Sequence, residues 1–455
     1  MDIAPTQDNA AHLLRRAAWG GTPQEIEAAA AAGIESTVAA LLDPAGALDA
    51  GGPYRSTTGD AAFWDSPLQL WWYHLAVNSP TPAIERLAWF WHGHFATSID
   101  KVEYADLMHA QLVMLRRNGL GRFDDLLEAI THDTAMNIYL DLHLSEVGNP
   151  NENFARELME LFSMGAGQGY TQTDVEQAAR ALTGYGLVHA EPQYRYLGTE
   201  LKPELHDFGQ KLFLGNTGNF DGSDIVAEIV RRPECHRFIC SRLWHRYAGT
   251  APPESVIGDL VAVFRDELLV SDVLAAMLTH HEFYADEVKQ GLVTQPVELL
   301  VRTWRNFGLD ILDVRDRPYD DLSAAAEDVE RGWVPFALEW LGWDVGQRIA
   351  QPPNVSGWGH NGFWLDTNGS SARVRVGREV GYLIASGEGA VSRDLHALAG
   401  RPTQLAEAVL RQFGVVSWSS TTFDAVTAAA RDDWPDDAIV AAVSTAFASP
   451  EVTLA

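Results

Sequence analysis

Carboxylate and basic side chains are gathered in the stretch NENFARELMELFS, residues 151–163, where they could support acid–base chemistry. At helical spacing, Glu157 lies at the rim of an apolar stripe, three residues before Glu160. A carboxylate beside an apolar stripe has a raised pKa or needs a cation as its partner. We therefore take Glu157, Glu160 and the neighbouring Arg156 as candidate catalytic residues, and Asn151 as a candidate substrate ligand. The alternative is a helix face on which Arg156 pairs with the glutamates one turn away on each side.

Two histidine-bearing stretches could hold a metal ion. His92 and His94 are two residues apart, so their side chains share a face only where the chain is extended. His206 and Asp207 lie in a loop, where such a pair can be a metal ligand with its orienting carboxylate or a general base with its partner. The three histidines are candidate metal ligands, Asp207 is a candidate catalytic residue and Lys211 is a candidate substrate ligand. The alternatives are hydrogen-bonded core histidines and a turn in which Asp207 binds its own backbone.

An irregular segment, PPNVSGWGH at residues 352–360, is rich in aromatic side chains and is followed by a second tryptophan. Aromatic side chains on loops often stack on sugar rings or on other flat apolar ligand faces. Trp358 and Trp364 are therefore candidate substrate-binding residues. The alternative is a long loop that these two rings pin to the helical body.

These candidates lead to two hypotheses of different classes. The first is an enzyme, a hydrolase acting on a carbohydrate or another polymer. A divalent metal ion would activate a water molecule in one version. In a metal-free version, Glu157 and Asp207 would act as acid and base on a glycosidic bond, with Trp358 stacked on the sugar. The alternative is a non-catalytic helical protein that binds a partner protein or a polysaccharide, in which case the polar motifs only fix helix packing.

The charge balance and the missing motifs exclude some functions. The chain has 455 residues with 62 Asp and Glu against 33 Lys and Arg, which gives a net charge of −29. An acidic surface repels phosphate backbones and anionic lipids, so we expect no nucleic-acid partner. P-loop, G-x-S-x-G and H-E-x-x-H patterns are missing, which disfavours nucleotide cofactors, the commonest serine hydrolases and zinc peptidases.

The sequence also bears on the membrane and on the compartment. No run of about 18 apolar residues is present, so we expect no membrane span. The first residues show no basic segment followed by an apolar one, which is the pattern of a secretory signal. The sequence therefore predicts a cytoplasmic protein, or an exported one if a leader precedes this chain.

Apolar residues recur at helical spacing through most of the chain, and this predicts an all-α fold with long loops and at most a small β-hairpin. The predicted helices cover residues 22–32, 66–77, 82–95, 101–117, 121–131, 151–163, 171–184, 222–231, 234–248, 253–267, 270–280, 294–307, 337–349, 370–386, 402–413 and 436–448.

The remaining segments complete the predicted architecture. Residues 186–197 are a candidate hairpin or extended loop. Loops are predicted at 44–62, 198–222 and 350–370. We expect one main α-helical domain, residues 1–390, that carries all the motifs, and a small α-helical C-terminal segment, residues 391–455, packed on it.

Five stretches, in their order along the chain, closely resemble the bacterial family called domain of unknown function 1800. They are HLLRRAAWGGTPQEI (12–26), FWHGHFATSIDKV (90–102), the segment 149–186 around NENFARELMELFS, HDFGQKLFLGNTGNFDG (206–222) and PPNVSGW (352–358). The resemblance covers nearly the whole chain, becomes weaker beyond about residue 390, and implies one coherent fold. Members often look exported, and their genes commonly lie beside those of another uncharacterised, sulfatase-like family. The resemblance therefore implies a possible partner protein from a neighbouring gene.

Overall fold

The computed structural model describes residues 3–47, 49–51, 66–190, 195–289, 291–311, 313, 315 and 334–454. Within this part the protein is 63% helical, with 24 α-helices and two small two-stranded antiparallel sheets. The predicted all-α fold is therefore confirmed. None of the described helices is both long enough and apolar enough to cross a membrane.

The helices in chain order are α1 (Gln7–Ala17), α2 (Pro23–Ala32), α3 (Ile34–Leu41), α4 (Ser66–Asn78), α5 (Pro82–His94), α6 (Ile99–Val102), α7 (Ala105–Asn118), α8 (Phe123–Thr131), α9 (Thr134–Tyr139), α10 (Glu152–Glu160), α11 (Gln172–Ala181), α12 (Gly222–Val230), α13 (Pro233–Ala248), α14 (Glu254–Glu267), α15 (Val270–Leu278), α16 (Asp286–Lys289), α17 (Pro296–Phe307), α18 (Val334–Asp344), α19 (Thr367–Ala385), α20 (Ser392–Leu398), α21 (Pro402–Gln412), α22 (Ser420–Ala429), α23 (Pro435–Phe447) and α24 (Pro450–Thr453). The strands are β1 (Tyr185–Ala190), β2 (Arg195–Leu201), β3 (Lys211–Phe213) and β4 (Asn216–Gly218).

Side-chain caps fix the starts of several helices. The Thr22 side chain accepts a hydrogen bond from the backbone of Glu25, whose carboxylate accepts one in return from the backbone of Thr22. Asp221 and Asp224 form the same reciprocal arrangement at the start of α12. Each cap satisfies backbone N–H groups that have no partner inside the helix, so the helix begins at that residue.

The strands form two short hairpins. β1 and β2 pair around the segment predicted as a hairpin or extended loop, and β2 continues to Leu201, four residues into the region predicted as a loop. Residues 191–194 lie outside the described residues. β3 and β4 pair within the region predicted as a loop, joined by Leu214 and Gly215, which both have positive φ. Strands of three residues are too short for an alternating pattern to reveal them. Of the loop predicted at 44–62, residues 52–62 lie outside the described part of the chain.

Most buried apolar side chains belong to two large hydrophobic cores, and α5 contributes to both. Leu87 and Trp91, one turn apart, are buried in the first core, whereas Trp89 is buried in the second. Residues two apart on a helix point in nearly opposite directions, so α5 lies between the cores. Leu405 and Val443, from the predicted C-terminal segment, are buried in the second core. The boundary predicted near residue 390 stays a prediction.

A loop lies directly on α5, and we call residues 350–360 the Trp358 loop. Gly357 has φ +79°, and a Cβ atom there would lie 2.1 Å from the carbonyl oxygen of Gly93. The Trp358 ring lies 3.6 Å from the position a Cβ of Gly93 would take. At its start, the loop is held by a hydrogen bond of 2.8 Å from the backbone N–H of Ile99 to the Ala350 oxygen. Gly93 and Gly357, which belong to two separate motifs, therefore allow the Trp358 loop to pack closely against α5.

We predict that Gly357→Ala destabilises the protein by about 2 kcal/mol more than Gly346→Ala, as for other overpacked sites. Gly346 is the matched control because its φ of +74° is equally unfavourable for alanine, while no atom lies within 4 Å of its Cβ position. Urea unfolding of the two variants measures the difference. Equal losses would contradict the close contact.

Candidate functional site

A pocket of about 120 Å³ lies where α5, α13 and the start of α17 meet the Trp358 loop. We call it the cationic pocket. It is lined by Trp89, Phe90, Gly93, His94, Arg242, His245, Arg246, Gln295, Ser356, Trp358 and His360. Phe90 belongs to the first hydrophobic core and Trp89 to the second, so the pocket lies at the boundary between them.

Helical spacing explains which side chains two of these elements present. On α13, Arg242, His245 and Arg246 stand at i, i+3 and i+4, so they share one face. On α5, Phe90 and His94 are one turn apart and also share a face. These two helix faces therefore supply every basic side chain of the pocket except His360, which the Trp358 loop supplies.

Gln295 joins four of the elements around the pocket. Its Oε1 atom accepts hydrogen bonds of 3.2 Å from Trp89 Nε1, 3.2 Å from Arg246 Nη2 and 3.0 Å from Gln347 Nε2. Its Nε2 atom donates to the Gly359 carbonyl oxygen at 3.4 Å. The amide group of Gln295, the N-cap residue of α17, thus links α5, α13, the Trp358 loop and Gln347.

Beneath the pocket, Glu298 is a buried carboxylate that pairs with two arginines. Only 2% of its surface is exposed, and it accepts hydrogen bonds from Arg86 at 3.3 Å and from Arg246. Burial raises the pKa of Glu298, but Arg246 and Arg86 more than offset this, so the net shift is downward. Glu298 is therefore ionised and compensates for only one of the two guanidinium charges.

The charge that lines the pocket is positive. None of its lining residues in the described part of the chain is Asp or Glu. Arg242 forms no ion pair with any described residue, and its buried Nε atom has no hydrogen-bond partner there. The buried Nη1 atom of Arg246 likewise has none. The pocket therefore offers N–H donors and positive charge within an acidic protein.

The three imidazoles of the pocket are held in their neutral form. Burial and, as a smaller effect, the positive charge of Arg242 lower the pKa of His94 to about 3. Burial, Arg246 and His245 lower the pKa of His360 to about 3. The His245 and His360 rings lie 4.5 Å apart, and both ring nitrogens of His360 are buried without a partner among the described residues. Burial also lowers the pKa of His245.

Of the predicted site residues, His94 and Trp358 come together in this pocket, and two others lie nearby. The Trp358 ring stacks on Trp89, with ring centroids 4.4 Å apart. His92 is fully buried beside Trp358, and its Nε2 atom accepts a hydrogen bond from the backbone of Ala350 at 3.2 Å. Trp364 donates from Nε1 to the Gly359 oxygen at 2.9 Å.

The predicted carboxylate site on α10 lies apart from the cationic pocket. Arg156 donates to Glu152 at 3.1 Å, which is one of the ion pairs of the alternative interpretation, and Asn151 caps the helix. Glu157 and Glu160 are half-buried and do not line the pocket. Burial and the charge of Glu160 raise the pKa of Glu157, as the sequence indicated. The catalytic and binding roles assigned to these residues stay predictions.

The loop at residues 206–211 forms a third, separate group. Arg180 donates to both carboxylate oxygens of Asp207, at 2.7 and 3.3 Å, and this pairing lowers the pKa of Asp207. His206 donates from Nδ1 to the Thr183 oxygen at 2.8 Å. Lys211 donates to backbone oxygens within the same loop. These side chains have local partners, and the roles predicted for Asp207, His206 and Lys211 also stay predictions.

Four residues of the pocket are not among the site residues predicted from the sequence: Arg242, His245, Arg246 and His360. The i, i+3, i+4 spacing of the first three in the run CHRFICSRLWHRY is a signal that marks one helix face. His360 stands two residues after Trp358, which puts both side chains on one side of an extended segment. Among the described residues, no group of three or more His, Cys, Asp or Glu side chains is arranged to hold a metal ion.

A family model described as protein of unknown function (DUF1800) matches residues 12–454. The chain belongs to the DUF1800 family. The match includes every residue that lines the cationic pocket, and it confirms the family indicated by the five sequence stretches. No curated protein and no solved structure matches this DUF1800 chain. The chemistry of this DUF1800 protein must therefore be argued from its own side chains.

We predict that Glu298→Gln lowers the free energy of unfolding by about 3–5 kcal/mol, because it leaves two buried arginines without a counter-charge. The control is Glu254→Gln, which removes an exposed ion pair with Arg237 on the same helix as Arg246. Urea unfolding should show a large decrease for the first variant and none for the second. A similar result for both would mean that Glu298 does not hold the pocket together.

Proposed function

We propose that this DUF1800 protein binds a small oxyanion, or the anionic end of a larger ligand, in the cationic pocket. The observation that supports the proposal is the set of lining side chains, which includes two arginines and three histidines and no carboxylate. Guanidinium and imidazole N–H groups are the usual protein donors to carboxylate, sulfate and phosphate oxygens. Arg242 has no internal counter-ion among the described residues, so a ligand can supply one.

The size of the pocket favours a small anionic group. Its volume of about 120 Å³ is well below the roughly 300–1,000 Å³ of pockets that take drug-sized ligands. A tetrahedral oxyanion or a carboxylate fits such a space. The net charge of −29 opposes long anionic polymers such as nucleic acids, whereas short-range hydrogen bonds hold a single anionic group.

Two narrower expectations have less support at this pocket. Arg242 and Arg246 repel a cation, so we propose no metal ion there. A carbohydrate ligand would use Trp358, but this ring already stacks on Trp89 and has one face less to offer. The side chains of the pocket therefore suit an anionic group better than a metal ion or a sugar ring.

Isothermal titration calorimetry with sulfate, phosphate and acetate at low ionic strength tests this proposal. We predict that Arg242→Gln weakens binding by at least about tenfold, the effect of one charged hydrogen bond. The matched control is Arg237→Gln, which removes an exposed arginine five residues earlier on α13 whose ion-pair partner is Glu254. The control should bind as the unmodified protein does.

Two outcomes would contradict the proposal. One is that none of the three anions binds, and the other is that both variants lose affinity equally. Unfolding midpoints of both variants, measured without ligand, show whether a loss of affinity reflects a loss of folded protein.

Hydrolysis of an ester of the bound anion is a second candidate function, favoured by the imidazole of His360, which has two buried, unpartnered ring nitrogens within the described structure. In such a reaction the water oxygen would form a bond to the ester centre while His360 accepts a proton from the water. The bond to the leaving oxygen would then break as His360 passes this proton to it, which releases the alcohol. Binding of an anion would raise the pKa of His360 and make it a stronger base.

Turnover of p-nitrophenyl phosphate, sulfate and acetate distinguishes hydrolysis from binding alone. We predict that His360→Gln lowers kcat at least about a hundredfold, as expected for loss of a general base, while anion affinity changes little. His281→Gln is the control, since His281 is half-exposed and lies outside the pocket. If the unmodified protein converts none of the three esters, binding remains and hydrolysis is rejected.

A further inference from the structure

His94 has one ring nitrogen whose role is fixed by its partner. Nε2 lies 2.9 Å from the carbonyl oxygen of Phe162. A carbonyl oxygen only accepts hydrogen bonds, so Nε2 must carry the proton and donate it. Since the imidazole is neutral, the other nitrogen, Nδ1, carries no proton and can only accept. The backbone at the end of α10 thus sets the tautomer of a pocket-lining histidine.

Nδ1 of His94 lacks a donor within the described residues. The side chain is 3% exposed, and Nδ1 is buried without a hydrogen-bond partner. The ring is surrounded by aromatic side chains, among them Phe90, Phe95 and Trp91, and the Trp91 N–H is already donated to the Gly119 oxygen. Buried polar atoms without partners are rare in native proteins, and His94 lines the cationic pocket, so a group bound in the pocket is a candidate donor to Nδ1.

The cationic pocket therefore has two different requirements. Arg242, which has no ion-pair partner among the described residues, and the unpartnered Nη1 atom of Arg246 can donate hydrogen bonds to an acceptor that carries negative charge. His94 accepts a hydrogen bond and needs a donor. Sulfate and carboxylate groups can satisfy only the arginines, because they have no proton at neutral pH. A phosphate that keeps one O–H group can satisfy both.

We propose that the preferred anion is a phosphate bearing one O–H group, and that His94 selects it over sulfate by accepting this O–H at Nδ1. The inference rests on the proposed anion site. Inorganic phosphate and a phosphate monoester share this chemistry, but a monoester loses its last proton with a pKa of about 6. At about pH 8, inorganic phosphate still carries an O–H group and a monoester does not.

Sulfate and inorganic phosphate form a matched pair of ligands at about pH 8. Both are tetrahedral and mainly dianionic, and they differ by one O–H group. The charges of Arg242 and Arg246 act on both anions alike, so the ratio of the two dissociation constants isolates the O–H group. We predict that the unmodified protein binds phosphate about tenfold more tightly than sulfate, as expected for one hydrogen bond.

Variants assign this preference to His94. His94→Phe should bring the ratio close to one, because phenylalanine fits among the aromatic neighbours and cannot accept the proton. His92→Phe is the matched control, since His92 lies on the same helix, is fully buried and also makes one hydrogen bond, but does not line the pocket. The control should keep the tenfold preference.

Methyl phosphate provides a test that needs no variant. At about pH 8 it should bind like sulfate, and binding relative to sulfate should improve at about pH 6, where its O–H group returns. If methyl phosphate binds better relative to sulfate at the lower pH, the site is assigned to monoesters. If its relative binding does not improve, the site is assigned to free phosphate.

Three results would overturn the selection by His94. They are equal affinities for phosphate and sulfate, a preference that persists in His94→Phe, and methyl phosphate that binds as tightly as inorganic phosphate at about pH 8. Failure of every anion to bind would instead reject the proposed function, so the two failures are distinguishable.

Discussion

The buried ion cluster of Glu298 with Arg86 and Arg246 is the interaction on which the candidate site depends. It joins α17, α5 and α13, and therefore the two hydrophobic cores on either side of α5. Burying one carboxylate with two guanidinium groups leaves an uncompensated positive charge, which a protein interior tolerates only with further hydrogen bonds. Gln295 supplies one of these to Arg246, and the cationic pocket lies directly beside it.

An acidic protein can hold an anion because the two charge effects act over different distances. The charge of −29 belongs to the whole chain, and salt screens it within about 10 Å. Inside the pocket, Arg242 and Arg246 act over contact distances, and hydrogen bonds that involve a charged group are stronger than those between neutral groups. The overall charge would therefore oppose large anionic partners, while the proposed site would bind one small group.

Much of the fold could be predicted from the sequence, because helices leave a periodic signal within a dozen residues. The predicted helix 151–163 nevertheless ends at Glu160, and Gly165, with φ +91°, follows in the turn beyond it. The β3–β4 hairpin was not visible because its strands are too short. The family was also correctly inferred, since its motifs occur in order along the chain.

The site was harder to predict, because its geometry depends on contacts between distant segments. The sequence selected His94 and Trp358, which do meet, but it gave no means of bringing Arg242 to the same place. It also could not show that Arg180, 27 residues away, would pair with Asp207. An anomalous-diffraction crystal structure of the protein soaked in arsenate tests the central claim most directly. The account predicts an arsenic peak within hydrogen-bond reach of Arg242 and Arg246, and an arsenic peak found only elsewhere, or none, would contradict it.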